Sequence, residues 1–129
     1  MLLNVLSVIF LNNYKFYTQT LLKRLHWLPI SERIKYKIAI LTFKTLQSGK
    51  PSYLRDLLSF YSSGRDLRSS NSHFLDIPDI RSSNGRRSFS YSAPYIWKHS
   101  LTKEIRSSPD LESFKRALKT HLYLRQFPP

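Results

Sequence analysis

The sequence contains no cysteine, and only 3 of its 129 residues are glycine. Without cysteine the chain forms no disulfide bond, no cysteine-ligated zinc site and no thiol nucleophile. The few glycines do not form a phosphate-binding loop, and the many serines do not occur in a G-x-S-x-G nucleophile elbow. Several common classes of enzyme are therefore excluded by residue type and motif.

Acidic residues are also scarce, since Asp and Glu total 8. They are scattered along the sequence, and no adjacent pair of carboxylates is placed to hold two magnesium ions. The four histidines have no metal-ligand spacing to one another or to carboxylates: His26, His73, His99 and His121. We therefore predict no catalytic residue, no metal site, no cofactor and no small-molecule substrate, and we expect that the chain is not an enzyme.

Basic residues dominate the charge. Lys and Arg total 21, which gives a formal net charge of +13. A surplus of this size favours a polyanionic partner, with nucleic acid the first candidate and an anionic membrane surface the second. The remaining alternative is a solvated basic surface without a specific partner, because net charge alone reports only on non-specific binding.

The apolar N-terminal run, "MLLNVLSVIFL", is far shorter than the ~20 residues that cross a bilayer. It shows neither a basic flank before it nor a small-residue cleavage pattern after it, as a signal peptide would. We predict that residues 1–16 are a divergent apolar leader and that residues 17–129 form a single domain. With no cysteine and no convincing signal peptide, an intracellular location is favoured.

Apolar periodicity predicts a mainly α fold, a small helical domain of four to five helices with one short β-hairpin. The clearest helix covers residues 31–48, with Ser31 as its N-cap and Gly49 and Pro51 as its stop. Its predicted apolar stripe consists of Ile34, Ile38, Leu41 and Thr45, widened by Ala39, Phe43 and Leu46. Arg33, Lys37 and Lys44 recur at i, i+4 and i+11 and share a polar face.

Three further helices are expected. One covers residues 17–26 with Leu21, Leu22 and Leu25 on it, and another follows Pro51. The latter is expected to bury Tyr53, Leu54, Leu57 and Leu58. The last helix has Ser108 as its N-cap and Pro109 as its first residue. Its apolar stripe consists of Leu111, Phe114, Leu118 and Leu122.

The hairpin is predicted around residues 74–91. "FLDIP" (74–78) is its first strand, Asn84-Gly85 its turn, and the alternation over 88–91 its second strand. A helix is then expected from Ser92, with Pro94 tolerated in its first turn. An alternative is open here, because Phe89, Ala93 and Ile96 also fit a helical stripe.

The stretch "RRSFSYSAPYIW" (86–97) interleaves basic and aromatic residues. Such residues can bind phosphates and stack on bases, but large aromatic side chains are also the main material of a small core. We expect Phe89, Tyr91 and Trp97 to pack in the core. Arg86 and Arg87 are then the better candidates for phosphate contacts.

Seven segments, in order, resemble the region just after the polymerase core of Jockey-like non-LTR retrotransposon reverse transcriptases. They are "LHWLPI" (25–30), "RIKYKIAILTFKTL" (33–46), "GKPSYLRDLLSFY" (49–61), "GRDLRSS" (64–70), "FLDIP" (74–78), "RRSFSYSAPYIW" (86–97) and "SSPDLESFKRALKTHLY" (107–123). Three departures from the family pattern are Lys98 after Trp97, where Asn is usual, Thr102 after Leu101, where Pro is usual, and Asp79 after the V-P type strand, where a basic residue is usual.

The resemblance implies a thumb-side extension that helps to hold template RNA and primer. The palm aspartates of the polymerase and its endonuclease domain are absent from this sequence. The expected function is therefore a catalytically inactive fragment that acts at most as an accessory module for RNA or an RNA–DNA duplex. The residues that match the pattern and suit phosphate contacts are Arg33, Lys37, Lys44, Arg86, Arg87, Lys115 and Lys119. A basic membrane-surface or protein-interaction module led by the apolar N-terminus is the alternative, and a chain without an evolved function of its own is a further one.

Overall fold

A computed structural model describes residues 2–62, 64 and 73–129, with side chains described from residue 12 onward. Residues in this part of the chain form six α-helices, and a short 3-10 helix, Gly85–Arg87, precedes the fourth. The α-helices are α1 Leu2–Arg24, α2 Ile30–Ser48, α3 Ser52–Arg55, α4 Phe89–His99, α5 Lys103–Arg106 and α6 Leu111–Gln126. The mainly helical prediction is confirmed, although four to five helices were expected. Most of the "GRDLRSS" motif lies outside the described residues.

The core lies where α2, α4 and α6 meet, with α2 packed against both other helices. Phe114 of α6 is fully buried, and its ring stacks on Phe43 of α2 with centroids 4.3 Å apart. Trp97 of α4 stacks on the same Phe114 ring at 5.9 Å. Aromatic pairs of this kind contribute about 0.5–1.5 kcal/mol beyond their buried area. Phe114 therefore joins all three long core helices.

Helix α2 confirms the predicted segment and most of its predicted apolar face. Ala39, Phe43 and Thr45 are buried, as expected, whereas Ile34 and Leu41 are exposed. The helix begins at Ile30 after Pro29, with no side-chain cap, so Ser31 is not the N-cap. Gly49 ends it in the left-handed region at φ 70°, and its N–H donates to the Thr45 carbonyl.

Helix α1 is much longer than the predicted 17–26 segment and runs without a break across the predicted boundary at residue 16. The chain leaves it at His26, whose φ of 53° is in the left-handed region. Leu21 and Leu25 are exposed rather than packed. Near its end, the Tyr123 hydroxyl donates to the Lys23 carbonyl at 3.1 Å. In the described part of the chain, no helix is both long enough and apolar enough to traverse a bilayer.

The predicted β-hairpin over 74–91 is wrong. The described residues contain no strand, only an isolated antiparallel bridge between Phe60 and Leu75. The first half of the segment therefore pairs with residues after α3, where the Tyr61 N–H donates to the Phe74 carbonyl at 2.9 Å. The second half, 89–91, forms the first turn of α4 instead of a strand.

Burial explains why 89–91 is helical. A helix that begins at Phe89 places Ala93, Ile96 and Trp97 on one buried face, with Phe89 half-buried against the same core. A strand would have turned alternate side chains away from this core. Because α4 starts at Phe89 rather than Ser92, Pro94 lies in the helix interior and not in the first turn.

Predictions about α3 and α6 also need correction. Helix α3 is a single turn, and Leu58 is buried beyond it, whereas Tyr53 and Leu57 are exposed. The N-cap of α6 is Asp110, whose carboxylate accepts from the Ser113 N–H, rather than Ser108. The Ser108 hydroxyl instead donates to the Ile105 carbonyl at the end of α5, an element that the sequence did not predict.

Two leucines of α6 provide a matched test of the core. Leu118 is 0% exposed and Leu124 is 49% exposed. Leu118→Ala should lower the free energy of unfolding by about 2–5 kcal/mol, because it opens a cavity in a packed core. Leu124→Ala should change it by less than about 0.5 kcal/mol. Chemical denaturation followed by circular dichroism measures both, and equal losses would contradict the packing described.

Stability should also depend on pH through two helix-terminal carboxylates. Hydrogen bonds from the Ser113 hydroxyl and then its N–H lower the pKa of Asp110, and hydrogen bonding by its own N–H and by Thr102 lowers the pKa of Glu104. Groups with a lowered pKa stabilise the fold above their ordinary pKa, about 4, and lose that contribution as the pH falls below it. As the pH is lowered from about 6 to about 3, the denaturation midpoint of the double variant Asp110→Asn/Glu104→Gln should therefore fall less steeply than that of the unsubstituted chain. Parallel curves would contradict this.

Candidate nucleic-acid interface

Three of the seven predicted cations lie together in one groove. Arg33 and Lys37 come from the first half of α2, and Lys119 comes from α6. The groove has a volume of about 340 Å³, and we call it the Trp27 groove. It is lined by His26, Trp27, Leu28, Arg33, Tyr36, Lys37 and Lys119.

The short linker between α1 and α2 forms one wall of the Trp27 groove. The backbone N–H of Trp27 donates to the Leu22 carbonyl at 2.9 Å, which ties the linker to the end of α1. Leu28 is buried in the core, and Pro29 starts the next helix by accepting from the Arg33 N–H. These contacts fix the backbone on both sides of Trp27, and its side chain lies exposed at the surface.

Arg33 is oriented by two contacts. Its Nε donates to the Leu28 carbonyl at 2.8 Å, and its guanidinium lies 5.5 Å from the centre of the Trp27 ring. Cation–π contacts of this kind contribute about 0.5–1 kcal/mol at exposed sites. The contact places the Arg33 guanidinium over one face of the indole, so that the positive charge and the aromatic ring form one stacked unit.

The two aromatic members of this groove were not among the predicted site residues. Trp27 is 54% exposed, although tryptophan is usually well buried, and Tyr36 is half-buried. The sequence signal that could have identified Trp27 is its position in a linker between two helices, next to Pro29. Among the described lining residues there are three cations and no carboxylate, which favours an anionic ligand.

Arg86 lies in a second pocket of about 390 Å³, which we call the Arg86 pocket. It is lined by Lys35, Arg86, Tyr91, Ser92, Tyr95, Ile96, His99, Ser100 and Arg125. On α4, the Tyr91 and Tyr95 rings are 5.7 Å apart, and the Tyr95 and His99 rings are 4.4 Å apart. Arg86 donates from Nε to the Ile80 carbonyl at 2.9 Å and covers the Tyr91 ring at 5.7 Å.

The remaining predicted cations do not join either group. Lys44 is exposed towards the end of α2, and Arg87 is exposed at the end of the 3-10 helix. Lys115 pairs with Glu112, with Nζ and Oε1 3.2 Å apart. That pair partly neutralises the charge that Lys115 would offer to a phosphate.

The aromatic residues of "RRSFSYSAPYIW" differ in where the structure places them, some in the core and some at the surface. Trp97 is 3% exposed, and its Nε1–H donates to the His73 carbonyl at 2.9 Å, so the predicted burial is confirmed. Phe89 packs half-buried against the core. Tyr91 is also half-buried but lies in the Arg86 pocket, so its assignment to the core is wrong.

Arg106 has a structural role that the sequence did not indicate. Its Nη1 donates to the carbonyls of Leu101, at 2.6 Å, and Trp97, at 3.1 Å. Its guanidinium also lies 4.6 Å from the centre of the Phe74 ring, and burial lowers its pKa. Arg106 thus holds the segment around Phe74 against the end of α4.

Comparisons with protein families, with curated proteins and with solved structures found no match. The described residues include no group of three or more His, Asp or Glu side chains placed to hold a metal ion. The geometry of the two basic sites is therefore the direct structural guide to function.

The two tryptophans should be distinguishable in solution because their exposure differs so strongly. The structure predicts an accessible Trp27, emitting at longer wavelength, and a protected Trp97. Trp27→Phe should leave a blue-shifted emission with a several-fold smaller acrylamide quenching constant. If that variant instead kept the red-shifted, easily quenched emission, the exposed position of Trp27 would be contradicted.

Proposed function

We propose that this chain is a catalytically inactive segment of a non-LTR retrotransposon reverse transcriptase and acts as an accessory module that binds RNA or an RNA–DNA duplex. The observation that carries the proposal is the convergence of Arg33, Lys37 and Lys119 beside an exposed tryptophan in the Trp27 groove. Basic side chains hold the phosphate backbone, and aromatic side chains add contacts to bases.

The net charge of +13 supports the same proposal, since it raises the local concentration of any polyanion. The ordered motifs shared with the region after the reverse transcriptase polymerase core favour RNA among polyanions. Arg86 and Arg125, with the exposed His99 close by in the Arg86 pocket, provide a second basic area for backbone contacts.

A basic membrane-surface module is the second candidate, and one observation favours it. Helix α1 exposes several aromatic and apolar side chains next to basic ones, namely Tyr14, Phe16, Tyr17 and Leu21, and Leu25 is exposed just after it. Exposed aromatic and apolar side chains next to basic ones favour contact with an anionic bilayer surface. The groove that gathers three cations behind an aromatic ring is concave, however, and suits a strand of nucleic acid better than a flat bilayer.

Two lysines one turn apart on α6 provide a matched pair for testing RNA binding. Lys119 lines the Trp27 groove, whereas Lys115 pairs with Glu112. Lys119→Ala should weaken binding of a labelled single-stranded RNA and make the slope of log K against log salt less negative by about 0.7, the value of one lost phosphate contact. Lys115→Ala should change affinity and slope less. Fluorescence anisotropy at several salt concentrations measures both.

Lys37→Ala should behave like Lys119→Ala, because both side chains line the same groove. An absence of RNA binding even at low salt, or binding that salt does not weaken, would overturn the proposed function. Equal effects of Lys115→Ala and Lys119→Ala would assign the binding to overall charge and not to the groove.

A further inference from the structure

The Trp27 groove has a feature that binding to the phosphate backbone of a nucleic acid does not require. A site that neutralises phosphates needs cations, but it does not need an indole that is 54% exposed at its wall. Exposing so large an apolar ring to water is unfavourable. The position of Trp27 is nonetheless fixed on both sides, by the Leu22 carbonyl and by buried Leu28.

The size of the groove is that of a site for a small ligand. Its volume of about 340 Å³ is near the lower end of small-molecule sites, which start at about 300 Å³. That volume is enough for one planar ring with its sugar and phosphate. A paired base is stacked on both sides within its duplex, so it reaches an external ring only after it is unstacked.

The chemistry of the lining matches a nucleotide. The Arg33 guanidinium lies over one face of the Trp27 ring, 5.5 Å from its centre, so a base would stack on the opposite face of the indole. Lys37 and Lys119 supply cations from two different helices. A base stacked on the indole would therefore have its flanking phosphates close to Lys37 and Lys119.

On this basis we infer that the Trp27 groove binds one unpaired nucleotide of a single-stranded nucleic acid, with its base stacked on Trp27 and its phosphates near Lys37 and Lys119. The inference rests on the proposed nucleic-acid binding and deepens it. It makes the chain a sensor of unpaired strand, whereas the basic surface by itself would hold single strands and duplexes alike.

The test compares three labelled ligands of about twelve nucleotides: single-stranded RNA, single-stranded DNA and double-stranded RNA. Trp27→Ala should weaken binding to single strands by about 5- to 150-fold, the range of base–aromatic stacking converted at tenfold per 1.4 kcal/mol. Binding to the duplex should change by less than about twofold. The salt slope should stay the same, because no charge is removed.

Tyr53→Ala is the matched control, because Tyr53 is an exposed aromatic residue on α3 outside the groove. It should leave all affinities unchanged. Trp27→Tyr should restore most of the single-strand affinity, since a smaller ring still stacks, which a loss of folding would not allow. In the unsubstituted chain, single-stranded RNA should quench the Trp27 emission, and Trp27→Phe should abolish that response.

The outcomes separate this inference from the proposed function. Equal affinity of Trp27→Ala and the unsubstituted chain, or equal losses for single strands and duplex, would overturn the inference and leave nucleic-acid binding standing. If no oligonucleotide binds the unsubstituted chain, both fail. A change in Trp27 emission with anionic phospholipid vesicles but with no oligonucleotide would also overturn both, in favour of a membrane surface. A response to RNA but not DNA would identify contacts to the 2′-hydroxyl.

Discussion

The structure depends on the stacking of Phe43 and Trp97 against Phe114, which joins α2, α4 and α6 around one fully buried ring. That contact also determines the geometry of the surface. Lys119 lies five residues after Phe114 on α6, about 7.5 Å further along the axis. Packing of Phe114 therefore sets where Lys119 stands relative to Arg33 and Lys37, and the Trp27 groove depends on a core that it does not contain.

Sequence periodicity predicted the features that depend on one helix alone, namely the positions of the longer core helices. Helix α2 and helix α6 are where their apolar spacing placed them, and Trp97 is buried as its size suggested. The prediction of the hairpin was wrong because alternation over three or four residues is a weak signal for a strand. The burial of Ala93 and Ile96 instead favours a helix that begins at Phe89. The exposed Ile34 and Leu41 show a related limit, since spacing does not decide which side of a stripe meets the core.

The candidate site was only partly predictable for a similar reason. Arg33 and Lys37 share a face by helix geometry alone, but their meeting with Lys119 requires α2 and α6 to be packed. Trp27 belongs to a linker, where no periodicity applies, and its exposure results from the path between the end of α1 and Leu28. Lys115 was predicted as a phosphate contact like Lys119, and only the structure places it against Glu112.

Helix α2 separates the two basic sites. Successive residues advance by about 100° around an α-helix, so Lys35, two residues from each, points about 160° away from both Arg33 and Lys37. Arg33 and Lys37 line the Trp27 groove, whereas Lys35 lines the Arg86 pocket together with Arg125. Among the described residues, basic side chains therefore lie on two nearly opposite faces of α2, although Lys35 is paired with Glu32. Under the proposed function, a strand in the Trp27 groove would have to pass around α2 to reach the Arg86 pocket, which calls for a bent strand or for two separate ones.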